Sequence, residues 1–150
     1  MTDALYRPGE VAAKAEVSTR TLRYYEELGL LNPAGHSPGG SRRYSDADVT
    51  RVQRIRELQQ TMGFDLDQIG DILRAEDRLD ELRTDYRTGR AKGRERDLFL
   101  EAMEINDRLR GQVREKQAVL KGFRRELDAT AARYRQVASE RGIDLDDDRP

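Results

Sequence analysis

Cysteine and tryptophan are absent from the 150 residues, and histidine occurs once, at His36. The missing thiols exclude disulfides, thiolate zinc sites, iron-sulfur clusters and cysteine nucleophiles. A single imidazole in a run of Gly, Ser and Pro suits neither a Ser-His-Asp triad nor imidazole acid/base chemistry, so the chain reads as a non-enzyme. It also reads as carrying no cofactor and no metal. No apolar run approaches membrane-spanning length, and the stretch from Met1 to Arg7 lacks the basic flank and apolar core of a signal peptide. A cytoplasmic protein with no membrane partner is expected. Lys and Arg number 28 against 29 Asp and Glu, so the net charge is −1 and any electrostatic signal must be local.

What is present is helical patterning punctuated by turn residues. Val11, Ala12 and Ala15 after Pro8 predict a short helix. Ser18 then caps a second, in which Leu22, Tyr25 and Leu28 recur on one face before Gly29 stops it. From Asn32 to Ser45 the chain is dominated by Gly, Pro, Ser and Asn, which refuses a helix and suits a hairpin loop, a wing. Ser45 caps a third helix whose Val49, Val52, Ile55, Arg56 and Leu58 follow the 3.6 period, ending near Met62 and Gly63. Asp65 with Gln68 forms a capping box for a fourth helix carrying Leu66, Ile69, Ile72 and Leu73.

Further on the repeat changes. Val113, Leu120, Leu127 and Tyr134 fall seven apart, and Phe123, Thr130 and Val137 each follow a member of that series by three. This is an a/d seam, with Thr130 as its polar weak point. Leu98 and Ile105 continue it backwards across an eight-residue step to Val113, a stutter. A helix from Glu95 to Glu140 would extend roughly 70 Å. It either folds back on the preceding connector or dimerises as a coiled coil; the second is favoured, with Leu109, Val113, Leu120, Phe123, Leu127 and Tyr134 at the interface. The expected organisation is mainly α. An amino-terminal domain of short helices and a wing over 1–75 leads into a partly helical connector over 76–97, broken by Gly89 and Gly93. A coiled-coil dimerisation helix over 98–141 follows, and then an acidic disordered tail over 142–150 with Asp144, Asp146, Asp147 and Asp148.

The second helix separates Leu22, Tyr25 and Leu28 from an outer face of Thr19, Arg20, Arg23, Tyr24 and Glu27. Arginine reads guanine edges or grips phosphate, threonine offers hydroxyl and methyl, and tyrosine reaches phosphate oxygens. Between Arg7 and Arg56 nine basic residues (Arg7, Lys14, Arg20, Arg23, Arg42, Arg43, Arg51, Arg54, Arg56) outnumber six acidic ones (Glu10, Glu16, Glu26, Glu27, Asp46, Asp48). The excess is modest, and ordinary solvated surface would also produce it. Arg42, Arg43 and Tyr44 at the closing edge of the wing strengthen the nucleic-acid reading.

TLRYYEELGLL from Thr21 to Leu31, the loop ending Arg42-Arg43-Tyr44-Ser45, and Met62-Gly63-Phe64-Asp65-Leu66 with Ile69 together resemble the MerR family of bacterial transcription regulators. The resemblance covers about residues 6 to 75. It implies a winged helix-turn-helix DNA-binding domain over 1–75, with the helix-turn-helix over Pro8 to Leu31 and the wing over Asn32 to Ser45, and a sequence-specific homodimer joined by an antiparallel helix. Such a dimer binds double-stranded promoter DNA and distorts it to control transcription initiation by RNA polymerase, in the cytoplasm at the nucleoid. Matched position by position, Arg23 and Tyr24 contact DNA from the recognition helix, Arg42, Arg43 and Tyr44 from the wing, and Thr19 and Arg20 lie where the family reads bases. The alternative is an architectural DNA-bending factor of the excisionase type. Two departures stand out: Glu16 replaces the glycine usual in the turn, and Ser41 stands where the wing commonly carries an aromatic residue. The absence of cysteine excludes the metal- and redox-sensing branches, and no length is expected after Arg141 for a large ligand domain. A small organic effector would find apolar and aromatic surface at Leu79, Leu82 and Tyr86 beside Arg83 and Arg87; the plainer reading is that these residues pack the connector onto the rod.

Overall fold

Three helices start where a side-chain oxygen accepts from a first-turn N–H that has no carbonyl partner of its own. Ser18 Oγ takes the Thr21 N–H at 3.0 Å. Ser45 Oγ takes the Asp48 N–H at 3.2 Å, and Asp48 answers by accepting from the Ser45 N–H at 2.8 Å. Asp65 and Gln68 exchange the same pair of bonds at 2.8 and 3.0 Å. In the computed structural model, which describes residues 4–146, the order is α1 (Pro8–Ala15), α2 (Thr19–Glu27), β1 (Gly35–His36), β2 (Arg42–Arg43), α3 (Asp46–Arg56), α4 (Leu66–Arg87) and α5 (Glu95–Glu140). A wider π-type turn, Glu57–Thr61, extends α3. The chain divides into two compact units, Met1–Thr84 and Asp85–Pro150.

The first unit is built on a core of Val11, Leu22, Leu31, Val52, Ile55, Leu58 and Ile69, all buried. Each such burial contributes about 1.5–3 kcal/mol. Leu28, expected to point inward with Leu22 and Tyr25, is instead 45% exposed. Glu27 is the last helical residue and Gly29 turns the chain at φ 72°, a conformation that costs glycine nothing, so the inward positions after α2 pass to Leu30 and Leu31.

The wing is a two-stranded antiparallel hairpin pairing Gly35 with Arg43 and His36 with Arg42. Its turn closes through the Ser37 N–H on the Ser41 carbonyl at 2.7 Å, with Gly40 at φ 81°. Beyond the hairpin, Tyr44 exchanges backbone hydrogen bonds with Tyr6 at 2.7 and 3.0 Å, so the closing strand is anchored to the segment that leads into α1.

Helix α4 continues unbroken past residue 75, where the sequence suggested a domain boundary, as far as Arg87. The charged composition is an exposed helix face laced by pairs three residues apart, Arg74 with Asp71, Arg78 with Glu81 at 2.8 Å and Arg83 with Asp80. Such pairs support a helix by about 0.2–0.5 kcal/mol each. In the second unit, Gly89 and Gly93 at positive φ shape the turn before α5, and the Tyr86 and Phe99 rings meet edge to face at 5.2 Å. Helix α5 runs 46 residues without interruption through the stutter at Ile105 to Val113. Thr130 has its hydroxyl bonded to the Glu126 carbonyl at 2.9 Å, which satisfies the polar position in the seam. Gly142 follows the helix at φ 67°. Asp144 and Asp146 come after it, while Asp147 and Asp148 lie outside the described residues.

Glu16 closes α1 in the left-handed region, at φ 55° and ψ 43°, alone among the described non-glycine residues in having positive φ. Its carboxylate pairs with Arg56 on α3. Glu16→Val and Glu16→Asn both remove that pair but differ in tolerance of the left-handed backbone. The valine variant is expected to be less stable than the asparagine variant by about 1–2 kcal/mol in urea denaturation. Equal stabilities would show that the turn relaxes.

Candidate nucleic-acid interface

Helix α2 and the wing flank an open cleft of about 580 Å³ lined by Arg7, Pro8, Thr19, Arg23 and residues 39–44. Four arginines reach it, Arg7, Arg23, Arg42 and Arg43, and no carboxylate is among its lining residues. Thr19 and Arg23 are one helical turn apart, so α2 presents both to the same side. The turn of α2 capped by Ser18 also directs the positive end of the helix dipole toward this end of the element.

The wing is held to α2 by one carboxylate. Glu26 accepts a hydrogen bond from the Tyr44 hydroxyl on Oε1 and an ion pair from Arg42 Nε on Oε2 at 2.6 Å. The alternation of an extended chain puts Arg42 and Tyr44 on the same side of their strand, and that side faces α2. Arg43, on the other side, donates from Nη1 to the Arg42 carbonyl at 2.9 Å. Burial first, and the hydrogen bond to Glu26 second, push the Tyr44 hydroxyl well above the usual tyrosine range. Burial likewise raises Tyr25, with Arg56 opposing.

The sequence-expected contacts therefore separate. Thr19, Arg23, Arg42 and Arg43 come together at the cleft. Arg20 and Tyr24 are exposed on α2 but do not line it. Tyr44 is a correction: its side chain is 0% exposed, and its hydroxyl is spent on Glu26, so it supports the wing from beneath and has no surface to offer a phosphate. The basic count is corrected too. Arg51 bonds the Leu30 carbonyl and Asp77, Arg54 grips Glu76 and Glu57, and Arg56 pairs with Glu16, so three of the nine cations tie α3 to its neighbours. Sequence reasoning missed Arg7 and Glu26. Arg7 entered only as one of nine basic residues in a charge count, not as a contact; Glu26 looked like one more acid on a charged helix.

A helix pair with a short turn, a recognition helix and an arginine-bearing hairpin define a winged helix-turn-helix domain. Residues 6–76, just under half of the chain, match the family described as MerR HTH family regulatory protein. Over 68 residues it is 46% identical to the HTH-type transcriptional activator TipA of Streptomyces coelicolor, covering 45% of this chain and 26% of that protein. Over 69 residues it is 44% identical to the mercuric resistance operon regulatory protein of Pseudomonas fluorescens, covering 46% of this chain and 47% of that one. The matched region thus spans about a quarter of TipA and about half of the mercuric regulator. The fold is similar to that of a MerR-family transcriptional regulator from Bacillus cereus, with a TM-score of 0.54 at 20% identity over 98% of this chain and 88% of that one.

Because the Tyr44 hydroxyl titrates higher in the folded chain than in the unfolded one, its contribution is complete below the unfolded tyrosine value of about 10 and is lost as pH rises beyond it. Tyr44→Phe should lower stability at neutral pH by about 1–2 kcal/mol. It should also flatten the decline of stability measured above about pH 10. An unchanged alkaline decline would mean that other groups carry it.

Proposed function

We propose that this protein is a homodimeric transcription regulator that binds promoter DNA through α2 and the wing. The observation that carries the reading is the cleft between them, where four arginines converge without an opposing carboxylate in its lining. A duplex backbone is a line of phosphates, and guanidinium groups held on two separate elements can grip it on either side of a groove. Arg23 grips from the helix and Arg42 and Arg43 from the wing, while Thr19, Arg20 and Tyr24 occupy the exposed face available to base edges. Relatives with similar domains are transcription regulators, which supports this assignment.

Dimerisation is supported by α5. Leu120 is 59% exposed and Tyr134 68%, and Val113, Phe123 and Leu127 are exposed beside them, with Leu109 half-buried. An apolar seam of this length along one helix is the surface a second helix covers in a coiled coil. A dimer doubles the phosphate contacts on one scaffold, and those contacts offset the several kcal/mol that bending or untwisting a promoter costs. In this reading RNA polymerase is the partner that uses the distorted promoter, and a small organic effector is the ligand class open to a chain without thiols.

Two substitutions test the halves separately. Arg23→Ala should weaken binding to all duplex sequences alike and reduce the slope of log affinity against log salt by roughly one, with helicity and oligomeric state unchanged. An unaltered slope removes Arg23 from the interface. Leu127→Asp places an unpaired charge in the seam and should shift sedimentation at micromolar concentration from dimer to monomer, with DNA affinity falling in step. A variant that remains dimeric refutes the seam.

A further inference from the structure

An acidic side chain at the edge of a phosphate-binding cleft repels the ligand unless it has another task. Glu26 stands in this position: its side chain is only 11% exposed, and both of its oxygens are occupied by groups from the wing, the Tyr44 hydroxyl and Arg42 Nε. Arg42 is engaged by the Nε edge of its guanidinium, and its two terminal amino groups carry no hydrogen bond among the described residues. The side chain is 41% exposed at the cleft. A free arginine samples many rotamers, whereas one clamped at Nε presents a planar pair of Nη donors in one direction, the geometry that a phosphate accepts through two oxygens.

We propose that Glu26 is a positioning residue for DNA binding, resting on the reading of the cleft as a phosphate grip. It orients Arg42 for bidentate contact with one backbone phosphate and locks the wing to the recognition helix so that the two grip as a unit. Tyr44 steadies the other oxygen of the same carboxylate, so that Glu26 is fixed before DNA arrives. The negative charge of Glu26 is the cost of this arrangement, and pre-organisation of Arg42 exceeds it. Arg43, braced on the Arg42 carbonyl, stiffens the strand from the other side.

Charge alone and positioning predict opposite signs. Removing an acid beside DNA strengthens binding if the acid acts only through its field; it weakens binding if the acid holds the gripping arginine. The probe is a duplex selected by the unaltered full-length protein from a random pool, with affinity measured across a salt series. Glu26→Gln should bind this duplex about tenfold more weakly, with the salt slope reduced by about one. The glutamine amide oxygen still accepts from Tyr44, so the thermal melt should stay close to that of the unaltered protein. Arg42→Lys keeps the charge but lacks the Nε edge, and should show the same loss. Arg42→Ala should add nothing in the Glu26→Gln background. Equal or tighter binding by Glu26→Gln with an unchanged slope overturns the proposal, as does an Arg42→Lys variant indistinguishable from the unaltered protein. If Glu26→Gln fails to fold, Arg42→Lys on the part-exposed wing strand decides alone. Enrichment of no sequence by the unaltered protein is a different failure, one that removes the DNA-binding reading itself.

Discussion

Tyr44 is the point on which the amino-terminal unit turns. Its backbone pairs with Tyr6, its ring lies in the core with no exposed surface, and its hydroxyl ends on Glu26 of the recognition helix. Three separate stretches of chain thus meet at one residue: the lead into α1, the closing strand of the wing, and α2. A two-residue strand pair is too small to hold its own shape in water, and packing against a helix supplies what it lacks. The position of the arginines beside Tyr44 follows from that anchoring, because the strand that carries them has no freedom to swing away from α2.

The same economy appears in α3. Arg51 and Arg54 reach across to α4, while Arg56 reaches to the turn after α1. The hydrogen bond to Glu76 is the main reason that Arg54 holds its proton more tightly than a free arginine. These pairs are part-exposed, so each contributes little to stability. What they give is register: a planar guanidinium with two carboxylates on different elements is satisfied in one arrangement of those elements and in few others.

The long helix presents the opposite situation. The amino-terminal unit encloses its apolar side chains, whereas α5 carries Val113, Val119, Leu120, Phe123, Leu127 and Tyr134 in the open. Propensity and i,i+4 pairing make a helix of this composition, but nothing in its own sequence covers one side of it. The seam leaves apolar surface in the open along a single helix, and a second copy of that helix is the cover we propose for it.

Local physics was legible in the sequence wherever it acts within a few residues. Ser18, Ser45 and Asp65 as caps, Pro8 at a first turn, Gly29 as a stop, and the Gly- and Pro-rich hairpin are all choices that the backbone makes with its immediate neighbours. Heptad spacing in α5 belongs to the same class, because a helix projects position i and position i+7 onto one face whatever surrounds it. Tertiary contacts decided the rest. Tyr44 and Arg42 are two residues apart and were both expected to contact DNA, yet one side chain is buried and the other is part-exposed, since only the packing of α2 against the wing determines which atoms lose water. Leu28 kept its helical period but lost its burial when α2 stopped one residue before it. Glu26 had no signature at all, because a carboxylate becomes a positioning group only when distant residues deliver a hydroxyl and a guanidinium to its two oxygens, and that meeting is a property of the folded chain.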